Sequence, residues 1–169
     1  MTADTVPPVA DPYAPDLVER VLGWAAILLF VAVAVALFRG RTDWPRMPGV
    51  VWIHLATVMT PLALTPVQLL RRRGDTLHRA LGWIWAVLLF ATAWVSFAIR
   101  GINDGGLSFI HIFSVVTIVT VPLMILAARS HRIATHRRSV RLIVTGALLI
   151  AGFFTLLPSR LLGAWLWGG

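Results

Sequence analysis

Histidine is the residue type best equipped for chemistry in this chain, because cysteine is absent and no carboxylate falls inside an apolar run. His54 lies sixteen residues before Leu70, and His111 lies seventeen before Ala128. At the rise of a helix these positions are roughly 24 and 26 Å from the ends of their runs. His78 and His136 fall at the opposite level, with His131 nearby. The spacing therefore predicts two tiers, His54 with His111 and His78 with His136. Neutral imidazoles facing each other across a bundle are axial ligands for haem b. The same groups suit a copper or zinc ion. Haem propionates pair with arginine, and Arg79 and Arg141 are placed for the inner tier, Arg160 or Arg100 for the outer. The plainer reading is that these histidines bond to Ser, Thr or carbonyl groups within the bundle, or handle protons. His131 reads as a solvated loop residue.

Other chemistry finds little footing. Without cysteine there are no disulfides, thiolate metal sites, iron–sulfur clusters or cysteine nucleophiles. No G-x-S-x-G, Walker, H-E-x-x-H or glycine-rich dinucleotide sequence occurs. Asp43, Asp75 and Asp104 all lie between apolar runs, which argues against transport driven by an intramembrane acid.

The elements that must carry the histidines follow from composition. Of 169 residues 58% are hydrophobic and 13% charged, with a mean hydropathy of +0.82; soluble domains carry roughly 25% charged residues. Five apolar runs span about 21–38, 50–70, 80–99, 108–128 and 142–162. Each approaches the ~20 residues needed to cross a hydrocarbon slab as a helix. Since backbone groups in lipid must bond within their own segment, the fold class is all-α, a five-helix transmembrane bundle over 21–165. Pro61, Pro66, Pro122 and Pro158 are tolerated there because neighbouring helices satisfy the freed carbonyls. Residues 1–20, with four prolines and four acids, read as a disordered acidic tail. Gly101, Asn103, Asp104, Gly105 and Gly106 read as a turn.

All fifteen basic residues are arginine, giving a net charge of +8. They sit at the ends of apolar runs, where they anchor helices and meet anionic membrane lipids, so nucleic acid is not the expected partner. Ten of them fall on the side of the second and fourth loops and five on the other. The positive-inside rule then predicts a multipass protein of the inner or plasma membrane with its N-terminus cytoplasmic and its C-terminus outside. Trp44, Trp52, Trp165 and Trp167 form the expected outer interfacial belt.

Two polar stripes run along the spans. His54, Thr57, Pro61, Thr65 and Gln68 recur at steps of three or four, and Thr145, Gly152, Thr155 and Ser159 form a second series. Gly146 and Gly152 would admit a neighbouring backbone or a flat macrocycle. Taken alone, such stripes are packing surfaces more often than cofactor boxes. A regular helix extended back from Thr145 sets His136 on the opposite face, about 900° of rotation away.

The elements His54…Gln68…Leu77-His78-Arg79…Gly82, Ser108…His111…Ser114, His136-Arg137-Arg138 and Gly152-Phe153-Phe154-Thr155…Pro158…Arg160 resemble those of an uncharacterised bacterial integral-membrane family, a domain of unknown function. The resemblance covers roughly residues 50–161 and implies a topology, with no activity attached. In layout the chain is also similar to the b561-type two-haem cytochromes, which carry one histidine on each of four consecutive helices. That likeness implies His54 with His111 and His78 with His136 as axial pairs, and electron passage across the membrane. It departs from them in having five spans rather than six, and in inner histidines at helix ends. The expected function is thus a haem-binding electron carrier, with a quinone or a redox protein as partner. Its alternative is a non-enzymatic assembly factor or complex subunit whose histidines are structural or bind copper. A small transporter or lipid-handling protein ranks behind both.

Overall fold

The computed structural model describes residues 11, 13–100 and 106–168. Most of the expected tail, residues 1–10 and 12, and Gly101–Gly105 of the expected turn lie outside the described residues. Five helices are long and apolar enough to cross a bilayer: α1 (Leu17–Arg39), α2 (Gly49–Leu70), α3 (Thr76–Ser96), α4 (His111–Arg129) and α5 (Ile133–Thr155). A short α6 (Leu161–Trp167) follows them, and no strand occurs among the described residues. The all-α bundle is as expected, and it has the pattern of a multipass membrane protein.

For two spans a capping aspartate moves the helix start toward the N-terminus of the apolar run. The Asp16 carboxylate accepts from the Glu19 amide while Glu19 accepts from the Asp16 amide, a reciprocal box that starts α1 at Leu17. The expected tail therefore yields its last residues to an ordered helix entry. Asp75 accepts from the His78 amide at 2.7 Å and starts α3 at Thr76, so His78 and Arg79 are helical. Gly74, with φ of +93°, makes the tight turn before it. The fifth span shifts most. It begins at Ile133 rather than near 142, so the His-Arg-Arg segment is its first turns. It ends at Thr155, before Pro158, and α6 folds separately. Residues Val144–Ile150 adopt the wider π-helical turn.

Consecutive helices pack side by side, and the π-helical segment of α5 meets α1 to close the ring. At the centre Leu62, Leu69, Leu89, Val121 and Leu148 are buried. Buried polar residues accompany them, including Thr65, Gln68, Thr92 and Thr117. The outward faces are apolar: Leu28 is 72% and Val87 57% exposed in the middle of their helices. A surface so apolar around a partly polar interior suits a hydrocarbon solvent.

The two ends differ. At one end Arg73, Arg137 and Arg141 converge on Glu19, which is only 1% exposed. At the other, Trp165 donates to Asp43 at 2.9 Å and Arg39 donates to the Leu166 carbonyl at 2.8 Å, holding α6 against the end of α1.

Candidate functional site: two histidine-lined cavities

Among the described residues a cavity lies in each tier. The cavity at the arginine-rich end has a volume of about 580 Å³ and is walled by residues of α2, α3, α4 and α5. His78 enters it from the first turn of α3 and His136 from the first turns of α5, with ring centroids 6.4 Å apart and planes at 81°. The His136 Nδ1–H donates to the Met124 carbonyl of α4 at 3.1 Å, since a carbonyl only accepts. In the neutral ring that fixes the tautomer and leaves Nε2 with a free lone pair. His78 Nδ1 is buried and has no hydrogen-bond partner.

The supports of this pair explain several polar residues. The Gln68 side-chain amide donates to the His78 carbonyl at 3.2 Å. A Cβ at Gly82, one turn beyond His78, would stand 3.3 Å from Gln68 Nε2, so the glycine leaves room for that reach. The Trp85 indole donates to Thr65 Oγ1 at 3.0 Å, and Thr65 donates to the Pro61 carbonyl at 2.8 Å. Thr65 and Gln68, the inner half of the polar stripe of α2, are thus a seam between α2 and α3.

Arg79 lines this cavity, together with Arg73, Arg129 and Arg137. Arg141, the other arginine expected to serve the tier, does not. It is drawn to the carboxylates of Asp16 and Glu19 beside α1. The reason is electrostatic: a buried Glu19 attracts the nearest guanidiniums, which satisfy it with charge-assisted bonds. The aspartate–x–x–glutamate spacing signalled the cap, but nothing in the sequence tied it to arginines 118 to 122 residues away.

The second cavity, of about 370 Å³, lies at the opposite end and is lined by both His54 and His111. Their environments differ. His111 is buried, and its Nε2–H donates to the Ser96 carbonyl at 3.2 Å while Nδ1 accepts from the Ser108 amide at 3.0 Å. Phe97 stacks on the ring at 5.6 Å. Both ring nitrogens are therefore engaged, Nε2 in tying the start of α4 to the end of α3 and Nδ1 in the chain entry to α4. His54 Nδ1 is buried and has no hydrogen-bond partner. Arg160 lines this cavity, whereas Arg100 bonds to the Phe97 carbonyl and is exposed.

The remaining expected features sort as follows. His131, exposed and with φ of 55°, rims the first cavity at the turn between α4 and α5. Thr145 and Ser159 are exposed, while Gly152 and Thr155 line the second cavity. Gly146 and Gly152 admit side chains rather than a backbone, Phe113 and Leu29 respectively. Among the described residues no three His, Cys, Asp or Glu side chains gather in a metal-binding group.

The class these features define is a small helical membrane bundle with a histidine-lined cavity toward each end. Compared with known proteins, the chain matches no family model, no curated protein and no solved structure.

Proposed function

We propose that this chain is a membrane electron carrier that binds one b-type haem between His78 and His136. The observation that carries the reading is their spacing. Two imidazoles on opposite sides of one metal, each bond about 2 Å and each ring centre about 1 Å further, stand roughly 6 Å apart. The 6.4 Å between these ring centroids fits that span. Further support comes from the Met124 carbonyl, which orients His136 as outer-shell carbonyls orient ligating histidines. The arginines around the cavity add to this, since they match propionate chemistry. When bound, the haem would supply one-electron chemistry. The protein's part is to hold it, exclude water and neutralise its carboxylates.

The reading takes one haem rather than two. His111 already uses both nitrogens within the bundle, so for the outer tier the structural role of that histidine is favoured. In this proposal the arginine-rich end faces the cytoplasm of a plasma or inner membrane, because ten of fifteen arginines gather there.

An absorption spectrum of detergent-purified protein from haem-sufficient cells, oxidised and then dithionite-reduced, tests the proposal. A Soret band that disappears in His78→Ala and in His136→Ala, and persists in His111→Ala, is the expected result. A colourless preparation overturns it and leaves a non-enzymatic membrane module. For orientation, the cysteine-free chain accepts a single reporter. A cysteine at Ser130 should react with an impermeant maleimide only from the cytoplasmic side.

A further inference from the structure

The cavity away from the arginine-rich end is walled mostly by apolar side chains from all five spans. Its inner wall includes Leu62, Leu89 and Leu148, which belong to the central core. The polar side chains around it are already engaged within the bundle. Ser96 Oγ donates to the Ala93 carbonyl at 2.7 Å and lies 2.6 Å from Ser114 Oγ. Thr92, Thr117 and Thr155 donate to the carbonyls of Leu88, Phe113 and Gly152. His111 is occupied at both nitrogens, and the buried Nδ1 of His54 is out of a ligand's reach.

Arg160 differs from all of these. Among the described residues it is the one arginine on this wall, and the wall offers it no Asp or Glu. It stands between the end of α5 and the start of α6, at the far end of the bundle. Its half-buried guanidinium has no hydrogen bond or ion pair among the described residues, yet none of its nitrogens is sealed off. Asp43, a carboxylate at the same end, is taken by Trp165 at 2.9 Å and Arg46 at 3.6 Å.

Arginine cannot shed its charge, and a cation set among apolar walls is stabilised by an anion. A carboxylate meets a guanidinium in a two-bond fork. The cavity thus has a cationic end and an apolar length leading from it to the core. That is the polarity of a single-chain anionic amphiphile. Its volume of about 370 Å³ is at the low end of the roughly 300–1,000 Å³ usual for small-molecule sites, room for one chain rather than the two of a phospholipid.

We infer that this cavity binds a fatty acid, its carboxylate on Arg160 and its chain against Leu62, Leu89 and Leu148. The site is separate from the His78–His136 pair and needs no haem.

The test compares dodecanoate with its methyl ester, which keeps the chain and removes the charge. Binding to the full-length protein in a neutral detergent is read by calorimetry, beside Arg160→Gln. Dodecanoate is expected to bind the unaltered protein about tenfold more tightly than the variant, the worth of a charge-assisted hydrogen bond. The ester should bind the two alike. Equal binding of dodecanoate to both overturns the inference, as does an equal loss of the ester, which would make Arg160 a packing residue. Phosphatidylglycerol that outcompetes dodecanoate, and does so only with Arg160 present, overturns it in favour of a phospholipid. If the variant does not fold, a diazirine-bearing fatty acid decides on the unaltered protein. Its label is expected on the segment carrying Phe154, Leu161 and Leu162, and dodecanoate but not the ester should compete it away; equal competition by the ester refutes the site. None of these readouts involves haem, so failure here is distinguishable from failure of the electron-carrier reading, which rests on the Soret band alone.

Discussion

Replacing Glu19 by Gln keeps the shape of the side chain and removes the charge at the centre of the arginine-rich end. The carboxylate takes Arg73 at 2.5 Å, Arg137 at 2.9 Å and Arg141 at 3.1 Å, and Asp16 shares the last two. Three guanidiniums against two carboxylates leave one excess positive charge; without Glu19 there are two. Breaking a buried pair on one side costs about 3–5 kcal/mol. The three arginine side chains keep 9, 20 and 30% exposure, so water screens part of the new repulsion. The low end of the range applies, about 3 kcal/mol. In a chain of this size 1 kcal/mol moves Tm by about 2–4 °C, so the expected loss is about 6–12 °C. Tryptophan emission on heating in detergent reads it directly, with eight tryptophans as reporters. Arg72→Gln is the control, since its 3.2 Å pair with Asp11 is 75% and 40% exposed and worth at most about 1 kcal/mol. If Glu19→Gln lowers Tm no more than Arg72→Gln does, the cluster is solvated and does not fasten α1 to α5.

Acid should loosen the same end. Burial alone would raise the Asp16 carboxyl, but the Glu19 amide and the Arg141 guanidinium outweigh it and hold it below the usual range. A carboxylate lowered in the folded state stabilises fully above its unfolded value near 3.9 and loses that contribution as pH falls through the folded one. Tm should therefore begin to drop below about pH 4, and a flat profile down to pH 2 would contradict the assignment. Thr65→Val leaves the Trp85 indole without its acceptor. Membrane hydrogen bonds average about 0.6 kcal/mol with a maximum near 1.7, so a loss of about 1 kcal/mol is expected in detergent unfolding titrations, and no loss would show that the indole finds another partner. Gly163→Ala sets a Cβ 1.8 Å from the Leu157 carbonyl oxygen, a backbone atom that cannot swing aside. It should displace α6 and shift the emission of Trp165 and Trp167; an unchanged spectrum would place that helix elsewhere.

Much of the fold was legible because lipid imposes a simple rule. Charges stay out of the hydrocarbon, so the arginines and aspartates bracketed the helices closely. The helix ends were less legible, because a cap is a local hydrogen bond that hydropathy does not register. Asp16 and Asp75 each start a helix earlier than its apolar run. Counting depth along α2 and α4 put His54 and His111 on one cavity, and the same reasoning put His78 and His136 on the other. Depth does not determine partners. Whether an imidazole is free depends on which carbonyls face it: Ser96 and Ser108 occupy His111, while the surroundings of His54 and His78 leave a nitrogen bare. The capture of Arg141 by Glu19 was illegible for a related reason, since an acidic residue in a proline-rich tail gives no sign of burial.

The fifth helix reconciles a conflict that periodicity alone could not. On a regular helix His136 and Gly152 are sixteen residues apart, a rotation that leaves them about 160° from each other. Only one of them would then face the bundle, yet each lines a cavity. The π-helical turn at Val144–Ile150 lies between them. A turn bonded i to i+5 holds roughly one residue more than an α-turn, which takes about 100° out of the accumulated rotation. The difference falls to about 60°, and both residues face inward. Thr145, nine residues after His136, is left on the outside, where it is exposed. The widened turn is unfavourable in isolation, and it is held here by contact with α1, where Leu29 packs on Gly152 and Val144 and Leu148 are buried. Packing between helices one and five thus sets the phase of His136, which lies 97 residues beyond the end of α1 (136 − 39), and through it the existence of the histidine pair.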